Sequence, residues 1–180
     1  SGPRRKAQLL GINSGFNIVP IRGNIQTRID KMNTEKLDGL IVAKAALNRL
    51  KISHPNIYIF SEEEMLPAAA QGAIGIEVIK ENIETKTNNL LESINDNLTF
   101  EATEIERTVV AALQGNCLSP ISALCKIRDQ DVELKVRVSN QKGSEVYDQK
   151  EIFTLDNKIQ ALEDFIEKLI SNGAKTLIQN

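Results

Sequence analysis

Two hydrophobic periods alternate along the first 66 residues. In some segments apolar residues recur every three or four positions, as on one face of a helix, and short apolar runs of strand length lie between them. The helices are predicted at 3–10, from 24 onward and at 43–50, and the strands at 16–21, 37–42 and 57–60. Strands that alternate with helices favour a parallel or mixed sheet flanked by helices.

Two of these helices begin with recognisable signals. Pro3 suits the first helical position because its fixed φ matches the helix and its missing N–H leaves no partner unpaired there. Asn24 is a favourable N-cap. Arg4 and Arg5 therefore lie in the first turn of one helix and Arg28 in the other. Guanidinium groups near helix N-termini predict an anion site.

The middle of the chain contains one apolar run with no evident neighbour. An acidic turn at 61–64, expected to be solvated, and a loop of small residues precede this run at 73–79, and a helix is predicted at 82–93. The run is apolar on both faces, so as a strand it requires a neighbour on each side. Nothing earlier in the chain supplies them, which predicts an orphan strand through which the chain self-associates.

The last 84 residues predict a separate α+β module. The elements are a helix at 98–113, three strands near 121–128, 132–139 and 145–153, and a helix from 159 that ends at Gly173. Antiparallel strands between two amphipathic helices can enclose a core of their own. The chain is accordingly divided into residues 1–66, 67–96 and 97–180.

Composition indicates a soluble globular protein. The apolar share is 41% and the charged share 26%, and no apolar run approaches the roughly 18 residues that span a bilayer. No signal peptide is visible, so a cytoplasmic location is expected. The chain has no initiating Met and opens at a helix start, which suggests a fragment. Two cysteines eight positions apart and one histidine give neither a zinc spacing nor a redox CxxC.

Charge is distributed unevenly along the chain. Residues 1–60 contain ten Lys and Arg against three Asp and Glu, whereas residues 61–180 contain twelve against twenty-one. Arginine binds carboxylates and phosphates through two parallel hydrogen bonds. Aromatic residues make up 4% of the chain and Trp is absent, so platforms for stacking nucleic-acid bases are scarce. A small polyanion with several carboxylates is the favoured ligand.

The two cysteines have different sequence settings. Cys117 lies in a loop between Gly115 and Pro120, where a thiol either packs, as most buried cysteines do, or is reactive or modified. Cys125 lies in the middle of a predicted strand and is expected in the core. His54, before a proline in a polar loop, is expected to be exposed.

Five blocks of the chain, in order, resemble the porphobilinogen deaminase (hydroxymethylbilane synthase) family. They are RRKAQL at 4–9, IRGNIQTR at 21–28, DGLIVA with LNRL within 38–50, LPAAAQGAIGIE at 66–77 and GNCLSPI at 115–121. The remaining tail fits the family by pattern only. One departure is Asn116, where the family usually has Gly. Because Asn tolerates left-handed backbone angles, we expect the turn to persist.

The resemblance implies three domains, the first two like the lobes of periplasmic binding proteins. Residues 1–66 are then most of the second domain. Residues 67–96 are the crossover and the returning segment of an incomplete first domain, and residues 97–180 are the C-terminal domain that carries the cofactor cysteine. The implied fold class is an α/β lobe with a mixed sheet, followed by a small α+β domain with a three-stranded antiparallel sheet.

The resemblance also implies the site. Cys117 would hold a dipyrromethane cofactor by a thioether, and Gln71 would line the cleft. The residues expected to hold the carboxylates of cofactor and substrate are Arg4, Arg5, Arg22, Arg28 and Arg49. No metal is implied. The family's catalytic aspartate lies in a stretch without a counterpart here, so no catalytic residue is assigned to this chain, and the cofactor is expected to be absent from it.

The implied activity is that of a transferase of tetrapyrrole and heme biosynthesis, which deaminates porphobilinogen and polymerises it into hydroxymethylbilane. Its partners would be porphobilinogen and oligopyrrole intermediates, with no nucleic acid and no membrane, and the intact enzyme would be monomeric. This chain alone is expected to be inactive. The alternative is a non-catalytic anion-binding α/β module.

Overall fold

The structure is a computed structural model that describes residues 2–79 and 84–178. The first helices are α1 (Pro3–Ile12), α2 (Ile25–Thr34), α3 (Lys44–Arg49), α4 (Thr85–Ile94) and α5 (Asn97–Ala112). The later elements are β1 (Ile121–Arg128), β2 (Asp131–Ser139), β3 (Val146–Thr154), α6 (Lys158–Ser171) and α7 (Ala174–Leu177), with a 3₁₀ turn at Leu155–Asn157 between β3 and α6. In the described part of the chain, no helix is both long and apolar enough to cross a membrane.

The C-terminal half forms the α+β module that the sequence predicts. Its three strands are antiparallel in the order β1-β2-β3. Alternate residues of β2 point inward and are fully buried, namely Val132, Leu134, Val136 and Val138. They form one cluster with buried residues of α5 and α6, such as Val109 and Phe165. The period-two alternation of β2 therefore sets which face of the sheet forms the core.

Helix predictions agree with the structure within a few residues. Asn24 caps α2, since its side-chain oxygen accepts a hydrogen bond from the Thr27 amide at 2.8 Å. Pro3 is the first residue of α1, which continues two residues beyond its predicted end at residue 10 and ends at Ile12. The helix predicted at 82–93 is observed as α4, and residues 82 and 83 lie outside the described residues.

The four strands predicted before residue 80 are wrong for this structure. In the described residues, the segments 16–21, 37–42, 57–60 and 73–79 form no hydrogen-bonded strand. A strand requires a neighbour for its backbone N–H and C=O groups, and these apolar runs do not pair with one another. Ile74 is 90% exposed. The architecture is thus a mixture of helices and one three-stranded antiparallel sheet, and self-association through 73–79 stays a prediction.

Helix α1 packs against the outer, polar face of the C-terminal sheet. Gln8 of α1 is buried, and its amide nitrogen donates to the Leu66 carbonyl at 3.0 Å and to Ser122 Oγ at 3.2 Å. Its amide oxygen accepts from the Leu66 N–H at 2.8 Å and from Arg137 Nη1 at 3.1 Å. Ser122 and Arg137 are cross-strand partners on β1 and β2, so one side chain joins the helix, the loop at Leu66 and the sheet.

The turn between β2 and β3 approaches α1 so closely that it requires glycine. Gly143 has a φ of +67°, and a Cβ atom there would lie 2.0 Å from the Ala7 carbonyl oxygen.

The acidic turn at 61–64 also contacts the outer face of the sheet, because Glu62 and Glu63 pair with Lys126 and Lys135. The expectation of a merely solvated turn is corrected. The N-terminal segments are fixed to the module by polar contacts.

We expect that the variant Leu134→Ala lowers the free energy of unfolding by about 2–5 kcal/mol, because it leaves a cavity in the packed core. Leu134 is fully buried. The matched control is Leu118→Ala, which removes the same atoms from a side chain that is 65% exposed and should change stability by less than about 0.5 kcal/mol. Urea unfolding followed by circular dichroism measures both. Equal losses would contradict this placement of the core.

Candidate functional site

A cavity of about 770 Å³ lies between α1, the loop at 68–71, α5 and the loop that carries Cys117. Four of its lining residues are arginines: Arg4, Arg5, Arg28 and Arg107. No Asp or Glu lines it. Within the described residues, none of the four guanidinium groups forms an ion pair with a carboxylate. The cavity therefore has a positive potential that no carboxylate of the described residues neutralises through an ion pair.

Arg4 is the most constrained of these arginines. It is half-buried in the first turn of α1, and its guanidinium donates to the Leu66 carbonyl and, at 3.2 Å, to the Gln71 side-chain oxygen. Burial, and secondarily the charge of Arg5, lower the pKa of Arg4 to about 10. The group stays charged at neutral pH, and the lowered pKa records an environment that disfavours uncompensated positive charge.

Arg5 follows Arg4 in α1, and its guanidinium has no hydrogen-bond partner among the described residues. Its pKa is lowered by burial first and by the charge of Arg28 second. Arg28 donates through Nε to the Gly23 carbonyl at 2.7 Å, which orients it at the start of α2. Because like charges so close repel one another, an anion bound between them lowers the energy of the whole group.

The structure does not bring all of the sequence-predicted arginines together. Arg4, Arg5, Arg28, Gln71 and Cys117 line the same cavity. Arg22 and Arg49 are exposed. They line neither this cavity nor the second cavity described below.

Arg107 is a lining residue that sequence reasoning missed. It lies on α5 one turn before Val110 and Ala111, which line the same cavity. Residues three and four apart share a helix face. The sequence signal that could have identified Arg107 is therefore its position three and four residues before Val110 and Ala111, on the helix that precedes the loop of Cys117.

Cys117 is an exposed, free thiol at the edge of the cavity. Its loop is shaped by Asn116, whose side-chain oxygen accepts from the Leu118 amide at 2.8 Å and whose amide donates to Ser119 Oγ at 3.1 Å. Asn116 does not adopt a left-handed conformation, although its tolerance of that conformation was our reason to expect the turn to persist. Gln114 does, with a φ of +57°. Asn116 thus supports the turn through its side chain, as an Asx turn does.

Gly115 and Cys125 show how tightly the surroundings are packed. A Cβ on Gly115 would lie 2.4 Å from Ile121 Cδ1, so no larger residue fits there without a shift. Cys125 is buried in β1, as expected, and burial, with a smaller effect of the Glu106 charge, raises its pKa to about 12. Of the thiols of Cys117 and Cys125, only that of Cys117 is exposed and so accessible to a reagent. His54 is exposed, also as expected.

A second cavity of about 520 Å³ shares part of its wall with the first. Arg4, Arg5 and Gln71 line both cavities. The rest of the second cavity's wall is mostly apolar, and the segments 40–43 and 57–60 contribute about half of it. The same guanidinium groups can therefore contact ligands on two sides, one of them next to a thiol.

Comparison with known proteins identifies both halves of the chain. Residues 1–87 match the family model "Porphobilinogen deaminase, dipyromethane cofactor binding domain", and residues 100–166 match "Porphobilinogen deaminase, C-terminal domain". The boundary between the two matches falls in the same region as the predicted start of the C-terminal module.

Curated proteins named porphobilinogen deaminase are similar over most of the chain. The Campylobacter lari protein is 34% identical over 178 residues, which is 98% of this chain and 57% of the relative. The Clostridium acetobutylicum protein is 44% identical over 127 residues, 71% of this chain and 43% of the relative. The chain therefore spans about half the length of these relatives. The two matching family models and these identities show that the chain belongs to the porphobilinogen deaminase family.

Proposed function

We propose that the arginine-lined cavity holds a dipyrromethane that is linked to the protein by a thioether on the sulfur of Cys117. The observation that carries this proposal is that four guanidinium groups and an exposed thiol line one cavity without a single acidic residue. Relatives that carry the family name, and the cofactor-binding description of the matched model, support the same assignment.

The residues present fit such a group. A dipyrromethane with acetate and propionate side chains carries four carboxylates, and the cavity presents four arginines. Its volume of about 770 Å³ lies within the range of small-molecule sites, roughly 300–1,000 Å³. Thioether formation requires a sulfur that solvent and ligand can reach, and Cys117 satisfies that condition.

Each side chain then has a definite task. Arg5, Arg28 and Arg107 neutralise carboxylates, and a planar guanidinium fixes their orientation through two parallel hydrogen bonds. Arg4 is held by Leu66 and Gln71, so its position is set before any ligand binds. When bound, the cofactor supplies a free pyrrole carbon to which further porphobilinogen units are joined. The chain's own residues bind, orient and neutralise, and we assign none of them the proton transfers.

The activity of the whole protein follows as a second part of the proposal. We infer a transferase of tetrapyrrole biosynthesis that polymerises porphobilinogen into hydroxymethylbilane. The same proposal includes three domains, at 1–66, 67–96 and 97–180, of which the first resembles a lobe of a periplasmic binding protein. It also includes a cytoplasmic location and carboxylate-binding roles for Arg22 and Arg49. The 180 residues alone are proposed to form no product, since the family's aspartate has no counterpart among them.

The competing candidate is an anion-binding module without covalent chemistry. It shares the arginines and differs in the role of Cys117, which would then be incidental. A synthetic dipyrromethane with two acetate and two propionate groups separates the two. If the bound probe slows alkylation of Cys117, the sulfur faces the ligand, as the proposal requires. Binding without any protection of Cys117 would favour the module.

We expect that Arg5→Ala weakens binding of this synthetic dipyrromethane by about 10- to 100-fold. The reason is that a hydrogen-bonded contact with a charged group contributes ~1.5–3 kcal/mol. Arg5 is the cleanest position because its side chain has no described partner whose loss would disturb the fold. Isothermal titration calorimetry of the 180-residue chain measures the dissociation constant.

Two further variants accompany this test. Arg5→Lys keeps the charge but loses the planar fork, so its affinity should be intermediate. Arg128→Ala is the matched control, since Arg128 is an exposed arginine at the end of β1 and lines neither cavity. An Arg5→Ala protein that binds the probe as tightly as the Arg128→Ala protein would contradict the proposed site.

The two thiols should differ widely in reactivity. We expect iodoacetamide at pH 8 to modify Cys117 well before Cys125, because alkylation requires an accessible thiolate and Cys125 is buried with a pKa of about 12. Peptide mass spectrometry after timed quenching gives both rates. Cys117→Ser should leave one slow thiol and Cys125→Ser one fast thiol. Comparable rates at the two positions would contradict Cys117 as the attachment point.

A further inference from the structure

Glu106 is a buried acidic residue of α5 with no role in the site described above. Only 5% of its surface is exposed. One carboxylate oxygen accepts a hydrogen bond from the Ala70 amide at 2.5 Å, and the other accepts from the Cys125 amide at 2.7 Å. Its partners are thus two backbone groups from segments 55 positions apart, on a loop and on the edge strand of the sheet.

The Ala70 amide belongs to a residue in an unfavourable backbone conformation. Ala70 has a φ of +57°, in the left-handed region that residues with a Cβ rarely adopt. Such a residue persists only where its surroundings hold it in place. The hydrogen bond to Glu106 is a contact of this kind, because it fixes the amide that this conformation turns towards α5.

The conformation of Ala70 determines where the next side chain points. Gln71 follows directly, and its side-chain oxygen accepts from Arg4 Nη2 at 3.2 Å and from the Ala68 amide at 3.2 Å. Arg4, Gln71 and Cys117 line the same cavity. A change at Ala70 would therefore move one wall of the cavity relative to the thiol.

Glu106 has no charged partner that would explain its burial. Within the described residues no Lys or Arg pairs with it. Burial raises its pKa, while the two backbone amides act in the opposite direction. An apolar residue at this position would avoid the desolvation of a carboxylate but would offer no acceptor to either amide.

We propose that Glu106 is a positioning residue, whose buried carboxylate holds the 68–71 loop in the left-handed turn at Ala70 and so sets Gln71 and Arg4 opposite Cys117. The part of this inference that concerns ligand binding rests on the proposed function. Its structural half, the fixing of the loop to α5 and β1, is independent of any ligand.

The test uses the 180-residue chain and four variants. The synthetic dipyrromethane with four carboxylates is titrated into wild type, Glu106→Gln, Ala70→Gly and the double variant. Glu163→Gln is the matched control, because Glu163 is an exposed glutamate of α6 that lines neither cavity and whose side chain has no described hydrogen bond. We expect Glu106→Gln to weaken binding by about tenfold, or ~1.4 kcal/mol, and Glu163→Gln to leave it unchanged.

The Ala70→Gly background distinguishes positioning from a general loss of structure. Glycine adopts positive φ without steric strain, so the loop keeps its turn without help. Glu106→Gln should therefore weaken binding less in this background than in wild type. A loss of the same size in both backgrounds overturns the proposal, as does an unchanged affinity for Glu106→Gln.

Amide hydrogen exchange supplies a readout that needs no ligand and no variant. In wild type the Ala70 amide should exchange more slowly than the Ala69 amide, which has no hydrogen bond in the described structure. In Glu106→Gln the Ala70 amide should exchange faster. If Ala70 exchanges as fast as Ala69 in wild type, the proposal is overturned even if Glu106→Gln does not fold. If exchange behaves as expected but wild type does not bind the probe, the proposed function fails and the fixing of the loop stands.

Discussion

The position of α1 on the C-terminal sheet depends on the side-chain amide of Gln8. That amide is buried and forms four hydrogen bonds, to both backbone groups of Leu66, to Ser122 and to Arg137. A hydrocarbon at this position would leave the Leu66 N–H and the Ser122 hydroxyl buried without this hydrogen bond, at a cost of about 1–3 kcal/mol each. Arg4 and Arg5 lie one turn earlier on the same helix. The position of these two arginines in the cavity therefore depends on a polar contact one helical turn away.

The two faces of the sheet have separate tasks. The inner face is apolar and gives the C-terminal module its stability through α5 and α6. The outer face carries Lys126, Lys135 and Arg137, and it receives α1 and the acidic turn through hydrogen bonds and ion pairs. Apolar packing tolerates small shifts, whereas hydrogen bonds and ion pairs lose strength steeply with distance and angle. A polar face is thus suited to holding a binding element at a defined place.

Sequence patterns predicted the C-terminal module and the helices of the first half well, but they predicted strands in the first half wrongly. The alternation along β2 has a period that only a half-buried strand produces, so its inner face could be assigned from the letters alone. The runs at 16–21 and 57–60 are apolar without alternation. Such a run indicates burial but does not show which segment its backbone pairs with. In the part of the chain that the structure describes, neither run pairs with another strand.

The site was predicted in part for a similar reason. Cys117 stood out because a glycine and a proline enclose its loop, and the arginines stood out by number. Gln8 and Glu106 gave no local signal, because their partners are 36 to 129 positions away for all contacts except the bond of Glu106 to Cys125. Buried polar side chains whose partners come from distant segments become visible only when the segments are placed in space.

Several acidic residues contact groups other than the arginines of the cavity. Glu106 is the acid next in sequence to a lining arginine, yet both of its oxygens are occupied by backbone amides. Glu62 and Glu63 pair with lysines of the sheet, and Asp148 pairs with Arg137. These four carboxylates therefore have partners other than the arginines of the cavity. The charge of the four guanidinium groups is left for a ligand, and a ligand with several carboxylates compensates it better than any single anion.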